Sequence, residues 1–143
     1  MDDLESAAWF IAENAHLNWM YRNEPYINHV KRVYRRVVKN VTSLDVLRDA
    51  KIVAILHDVV EDSDVSLEEI EEVFGKRIRN AVQHISRNEG EVYSDYISRV
   101  GENSISKIVK VCDILENLSQ CDRVENKKLV ERYEKSLVQL ASR

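Results

Sequence analysis

The stretch ILHDVVEDSD, residues 55–64, decides how this chain is read. It continues the apolar run Ile52-Val53-Ala54-Ile55-Leu56, which has the composition of buried core. His57 and Asp58 follow at once, and then Glu61, Asp62 and Asp64. A chain that sets an imidazole and four carboxylates against its own interior must supply a partner for them, because an unpaired charge in a desolvated position is costly. A divalent cation is one such partner, and a helix cap or salt bridge is another.

Working outward, the surrounding sequence reads as helix almost throughout, without convincing strand alternation. The spacing predicts a first helix over 3–18, with Leu4, Ala7, Ala8, Ile11, Ala15 and Leu17 on its apolar side. Residues 19–24 form a polar and aromatic connection, and Pro25 suits the first turn of a second helix over 25–40. A third helix, capped by Thr42 or Ser43 and running over 44–60, is apolar on all sides in its middle and belongs at the centre of a bundle. Ser66 and Glu69 form a capping box for a short helix over 66–73. Gly75 ends that helix, and another follows to about residue 86. A loop covers 87–92, helices lie near 93–101 and 103–119, and an amphipathic helix over 125–142 turns Leu129, Tyr133, Leu137 and Leu140 inward. The expected fold is therefore an all-α bundle of about seven or eight helices, a single domain over 1–143.

Three separated segments then bear on chemistry. Ala50, Val53, Ala54, His57 and Glu61 share one helical face, so His57 continues a core-facing stripe with Asp58 about 100° round the axis. In SISKIVKVCDILENLSQC, residues 104–121, Lys110, Asp113 and Asn117 draw one polar line through an otherwise apolar helix. On a mostly buried helix such a line borders a cleft or meets another buried polar group. His29 flanks the inner face marked by Ile27, Val30, Tyr34, Val37 and Val41. Together His29, His57, Asp58 and Asp113 offer two imidazoles and two carboxylates from three helices, a donor set for one mixed nitrogen/oxygen metal site.

These residues carry a resemblance. The order His29…His57-Asp58…Asp113 is similar to that of the HD-domain metal-dependent phosphohydrolases, most closely the hydrolase domains of the Rel/SpoT type and the stand-alone small alarmone hydrolases. Glu24-Pro25-Tyr26-Ile27-Asn28-His29 resembles one motif of that branch, Leu56-His57-Asp58-Val59-Val60-Glu61-Asp62 a second, and Lys110, Asp113 and Asn117 a third. The stretch EEIEEVFGKRIRNAVQHIS between them resembles the acidic helix, Phe-Gly and following helix of the same group. Two departures stand out: Met20-Tyr21-Arg22-Asn23 has one cation and no glycine where relatives carry a basic pair and Ser-Gly, and Ser119 occupies the place of a familiar arginine.

The resemblance implies an all-helical domain holding one divalent metal, commonly manganese, and removing the 3′-pyrophosphate from guanosine tetra- or pentaphosphate. It implies His29, His57, Asp58 and Asp113 as ligands, Glu61 and Asp62 as the catalytic acidic pair that orients water and handles its proton, and Asn117 as a substrate contact. Tyr26 and Lys110 would shape or charge the pocket. Arg22, Arg87 and Lys110 are candidates to receive the remaining phosphates. Tyr21, Tyr93 and Tyr96 are candidates for base stacking, although aromatic residues in helices more often pack. Two other readings stay open: a nucleotidase or phosphatase acting on another nucleotide, and a non-catalytic metal- or nucleotide-sensing module.

Bulk composition narrows the partners. The formal net charge of −4 argues against a general nucleic-acid binder, which requires a basic surface. Clusters such as Lys31-Arg32 and Arg35-Arg36 could face one anionic small molecule, and also suit the solvated side of a helix. No apolar run reaches a membrane span, and the acidic start MDDLES is unlike a signal peptide, so a cytoplasmic protein is expected. Cys112 and Cys121 need not pair. His16 and His84 read as exposed or capping, with a role at a second metal the alternative. A second copy could pack on the last helix, a homo-oligomer that periodicity leaves open, and no synthetase or regulatory segment is expected after the domain.

Overall fold

Nine helices and one minimal hairpin make up the described residues, 2–142, of the computed structural model. In chain order they are α1 (Asp3–Ala15), β1 (Met20–Tyr21), β2 (Glu24–Pro25), α2 (Ile27–Asn40), α3 (Leu44–Leu56), α4 (Val59–Asp62), α5 (Leu67–Phe74), α6 (Lys76–Ile85), α7 (Tyr93–Val100), α8 (Ser104–Gln120) and α9 (Lys127–Ala141). The all-α expectation holds. The count exceeds seven or eight because the predicted helix over 44–60 is two helices, broken at His57 and Asp58.

Local chemistry explains several boundaries. The side chains of Asp2, Ser66 and Asn103 each accept a backbone N–H in the first turn of the helix they precede, so α1, α5 and α8 begin on true caps. Ser66 therefore caps α5, as the capping box predicts. Ser43 stands at the start of α3 without a side-chain cap hydrogen bond. Gly75, at φ 90°, stops α5 and starts α6 in one residue, a conformation that L side chains rarely adopt.

The sequence expectation fails at residues 19–25. Pro25 lies in β2, antiparallel to β1 with Met20 opposite it, and α2 starts two residues later at Ile27. The two-residue turn between the strands places Arg22 and Asn23 at φ 51° and 65°. Such a turn needs both residues left-handed, which asparagine tolerates and arginine does not favour. The Arg22 guanidinium donates to the Gln120 carbonyl and to Cys121 Sγ (3.4 Å), tying the hairpin to the end of α8.

The core is organised around α3, where Ala50 and Ile52 through Leu56 are all buried. It packs against α1, α2, α6 and α8. A second apolar cluster joins α7, α8 and α9 through Tyr96, Ile97, Val100, Ile114 and Leu140. Helix α8 therefore belongs to both, with Val109 and Cys112 in the first cluster and Ile114 in the second. Cys112 and Cys121 are both free thiols. No helix among the described residues is long and apolar enough to cross a membrane.

Candidate metal centre and its acidic rim

The break after Leu56 creates the site. Asp58 leaves helical geometry at φ −110°, ψ 1°, and this brings its carboxylate beside its own neighbour, with Oδ2 3.0 Å from His57 Nε2. Helix α8 supplies Asp113, whose Oδ1 lies 3.6 Å from the same nitrogen. Helix α2 supplies His29, whose Nε2 meets Asp113 Oδ1 at 2.9 Å. The ligand atoms of His29, His57 and Asp113 all lie within 4.8 Å of one another, and all three residues are buried. The four predicted ligands thus converge, with Asp58 joined through His57.

The ring of His57 shows what this cluster lacks. Its Nδ1 lies 2.7 Å from the Ala54 carbonyl oxygen, an atom that can only accept, so Nδ1 carries the proton. In the neutral ring Nε2 then presents a lone pair to two carboxylates, and this buried nitrogen has no hydrogen-bond partner. Three acceptors facing one another repel unless a proton or a cation sits between them. Burial opposes charge on His57, but Asp58 and Asp113 outweigh it and hold the imidazole well above its ordinary value. Two imidazoles and two carboxylates are a donor set that a divalent transition metal accepts. The residues present therefore fit such an ion.

The carboxylates are held ready. Burial alone would raise Asp113, but Lys110 (Nζ to Oδ2, 3.0 Å) and the two histidines hold it well below the usual range. Asn117 adds a donor to Asp113 Oδ1 at 3.3 Å. Burial likewise opposes ionisation of Asp58, and His57 and the Tyr26 hydroxyl, which donates to Asp58 Oδ2, more than offset it. Tyr26 pays for this place with a phenol pushed far above its normal value by burial and by Asp58. The polar line through α8 is accordingly one hydrogen-bonded unit: Lys110, Asp113 and Asn117, extended by the Tyr21 hydroxyl donating to Asn117 Oδ1 at 2.8 Å.

Glu61 and Asp62 sit outside this cluster, on the single turn of α4. Partial burial and the nearby Asp58 charge push Glu61 up to about 7. The same two causes push Asp62 up to about 6. Glu61 is exposed at the rim and accepts the backbone N–H of Arg87 at 3.0 Å. That contact depends on the 87–92 loop, whose shape is set by Arg99: its guanidinium donates to Glu91 (Nη2 to Oε1, 2.8 Å), to the Gln83 carbonyl (2.8 Å) and to the Ser86 carbonyl (2.8 Å).

The remaining sequence candidates differ in how free they are. The Arg87 guanidinium folds back on the Glu91 carbonyl (Nη2 to O, 2.7 Å) and lies over Tyr93. Arg22 is engaged with the end of α8, as described. Tyr96 is buried, donates to the Ile85 carbonyl and lies under Lys110 Nζ, so it packs rather than presenting a stacking face. Tyr21 does reach the site, edge-on to His29 at 5.3 Å between ring centroids.

Of the two expectations for His16, the cap holds and the surface does not. It is the C-cap residue of α1, yet it is 2% exposed, packed against Tyr26 at 4.8 Å between centroids, with Nδ1 3.7 Å from Asp62 Oδ2. Its position at the end of an amphipathic helix gave no signal, because the aromatic hairpin that covers it is a tertiary feature. Arg99 and Glu91 were also missed, being ordinary charged residues until the loop closes around them. His84 does behave locally, with Nδ1 2.7 Å from the Asn80 carbonyl one turn back.

With this geometry in place, the relatives can be named. Residues 8–91 match the HD domain family, a span that includes His16, His29, His57, Asp58, Glu61 and Asp62 and stops before Asp113. The chain belongs to the HD-domain family. It is 34% identical over 110 residues to the human guanosine-3′,5′-bis(diphosphate) 3′-pyrophosphohydrolase MESH1, covering 69% of this chain and 57% of that one. It is 30% identical over 99 residues to the Drosophila melanogaster protein of the same name, with 66% and 54% covered. Identity is also 30% over 103 residues to the corresponding hydrolase of Aquifex aeolicus, of which only 14% is covered. The chain therefore spans little more than half the length of the animal relatives it matches. Among solved structures, the protein described as a metazoan ortholog of SpoT that hydrolyzes ppGpp superposes with a TM-score of 0.81, covering 98% of this chain and 86% of that one at 22% identity. That likeness establishes the fold.

Proposed function

We propose that this chain is a metal-dependent pyrophosphohydrolase, a single catalytic domain that removes the 3′-pyrophosphate of guanosine 3′,5′-bis(diphosphate)-like nucleotides. The observation that carries the reading is the buried Nε2 of His57, which has no hydrogen-bond partner and faces the carboxylates of Asp58 and Asp113. His29, His57, Asp58 and Asp113 would hold the ion, and manganese is the proposed metal. A divalent cation supplies a lower pKa for water and polarisation of a phosphoryl oxygen at such a site.

The chain's own residues supply the rest. Glu61, pushed up to about 7, can take up a proton near neutrality, the condition under which general acid–base catalysis works best. Asp62 stands beside it at about 6 and can share or orient the same proton. Tyr26 fixes Asp58, and Lys110 and Asn117 fix Asp113, so these three act as positioning residues. Lys110 and Asn117 are also proposed as substrate contacts, and Arg22 and Arg87 are proposed to exchange a carbonyl partner for a phosphate. The chain is proposed to act in the cytoplasm, on a small nucleotide rather than on nucleic acid.

A second reading keeps the chemistry and changes the base. The hairpin that would approach guanine carries Arg22 at a left-handed turn with its side chain already committed to α8. A nucleotidase for another nucleoside phosphate would have the same metal centre and a different clasp. Product analysis of the Mn²⁺-loaded protein on guanosine 3′,5′-bis(diphosphate) and a panel of nucleotides separates these. Pyrophosphate release from the former, faster than phosphate release from the others, is the expected result. Faster turnover of another nucleotide would replace the substrate, and metal binding without turnover of any would favour a sensing module.

A further inference from the structure

His16 is a buried imidazole that nothing so far employs. It sits where α1 ends, its backbone N–H bonded to the Ala12 carbonyl and its own carbonyl accepting from Trp19. Neither ring nitrogen has a hydrogen-bond partner, although the side chain is fully enclosed. An unmade hydrogen bond at such depth carries the full desolvation cost of the group. Filling space between α1 and α2 does not account for that cost, since a leucine or phenylalanine would fill the same space without it.

One carboxylate oxygen, Asp62 Oδ2, lies 3.7 Å from Nδ1. That distance is too long for a hydrogen bond and short enough to close by a rotation of the carboxylate, whose side chain is only 20% exposed. On the far side the ring is fixed by Tyr26, the tyrosine that also donates to Asp58. The ring therefore touches a residue that holds a metal ligand and faces the acid next to Glu61.

We propose that His16 is a positioning residue for Asp62, donating from Nδ1–H to the Asp62 carboxylate and so fixing the acid at the rim of the metal centre. Because Nδ1 is the nitrogen facing the acid, the ring must hold its proton there, with Nε2 left as the acceptor. The neutral form suffices, and burial favours it by pushing the imidazole below its ordinary value. The consequence for reactivity rests on the proposed hydrolase activity, but the pairing itself does not.

The test therefore has two arms. In the first, ¹⁵N spectra of the histidines in the whole, Mg²⁺-loaded protein are compared for the wild type, Asp62→Asn and Glu61→Gln. The expected result is a His16 ring protonated on Nδ1 that changes its tautomer balance in Asp62→Asn and keeps it in Glu61→Gln. A ring protonated on Nε2 in the wild type, or indifferent to Asp62→Asn, overturns the proposal whether or not any nucleotide is turned over. In the second arm, His16→Leu is compared with His16→Gln, using guanosine 3′,5′-bis(diphosphate) and Mn²⁺. His16→Leu is expected to keep its Mn²⁺ content and lose about tenfold in kcat with KM little changed, a modest part of what a placed acid or base contributes. His16→Gln, which keeps an N–H donor, is expected to recover most of that loss. Equal kcat for wild type and His16→Leu, or no recovery in His16→Gln, overturns the proposal. If His16→Leu fails to fold, the tautomer arm decides alone. If the wild type turns nothing over, the hydrolase reading fails and the tautomer arm still judges the pairing.

Discussion

The floor and the rim of the site are built on opposite principles. At the floor, His29, His57 and Asp113 are each no more than 5% exposed, and every charge is answered by another within the cluster. At the rim, Glu61, Arg22 and Arg87 are exposed or half-exposed and borrow backbone groups as partners: Arg22 the Gln120 carbonyl, Arg87 the Glu91 carbonyl, Glu61 the Arg87 N–H. A buried ion network cannot change a member without leaving a desolvated charge behind. A rim bonded to backbone groups can. The difference teaches that the buried donor set at the floor is rigidly specified, whereas the rim groups are open to variation in short loops.

The sharpest way to break this contrast is Asp113→Ala. It leaves the Lys110 ammonium and two imidazoles without their common carboxylate, and a broken buried pair costs about 3–5 kcal/mol. Metal content and urea unfolding should fall together, with hydrolysis reduced to background. A variant that keeps one equivalent of Mn²⁺ would remove Asp113 from the ligand set.

Glu61→Gln tests the boundary between floor and rim. Turnover should drop by about 10²–10⁴-fold, the usual contribution of a general acid or base, with metal content and fold retained. Equal turnover in wild type and variant would take Glu61 out of the proton-handling role.

A smaller effect separates the two zones by pH. In the metal-free protein Glu61 and Asp62 hold their protons to about 7 and about 6, against ordinary values of 4.5 and 3.8. Between those limits the folded state binds more protons than the unfolded one, so stability should fall as pH rises through this window. The double variant Glu61→Gln/Asp62→Asn should flatten that slope in urea titrations at pH 4.5 to 7.5. An unchanged slope would assign it to His57 of the floor instead.

The smallest effects are expected at the rim cations. Arg22→Ala and Arg87→Ala each remove a guanidinium proposed to meet phosphate, worth about 1 kcal/mol at an exposed position, or about fivefold in KM. Steady-state kinetics should show that rise with kcat little altered. A loss confined to kcat would show instead that these arginines shape the acidic pair, Arg87 through its loop.

The legibility of the sequence followed burial. The centrality of α3 was readable from its apolar run, and Ala50 and Ile52 through Leu56 are indeed enclosed. Lys110, Asp113 and Asn117 were readable as one unit because helical spacing places them together, and they bond to one another. The break at His57-Asp58 was not readable. No glycine or proline marks it, and the local composition would continue a helix. The hairpin at residues 20–25 escaped for a similar reason: Arg22 is a poor residue for a left-handed turn, and its anchor, the carbonyl of Gln120, lies 98 residues away in the chain.

What the amino-acid order determined unaided is the set of helices, the apolar faces that bury them and the donor types available for one ion. These are matters of periodicity and residue chemistry, local by nature. The tertiary structure alone decided that a helix ends so as to set His57 and Asp58 side by side, that His16 is sealed against Tyr26, and that Arg99 holds the loop whose N–H meets Glu61. Each of those depends on contacts between distant segments, whose strength comes from desolvation that only the folded chain creates.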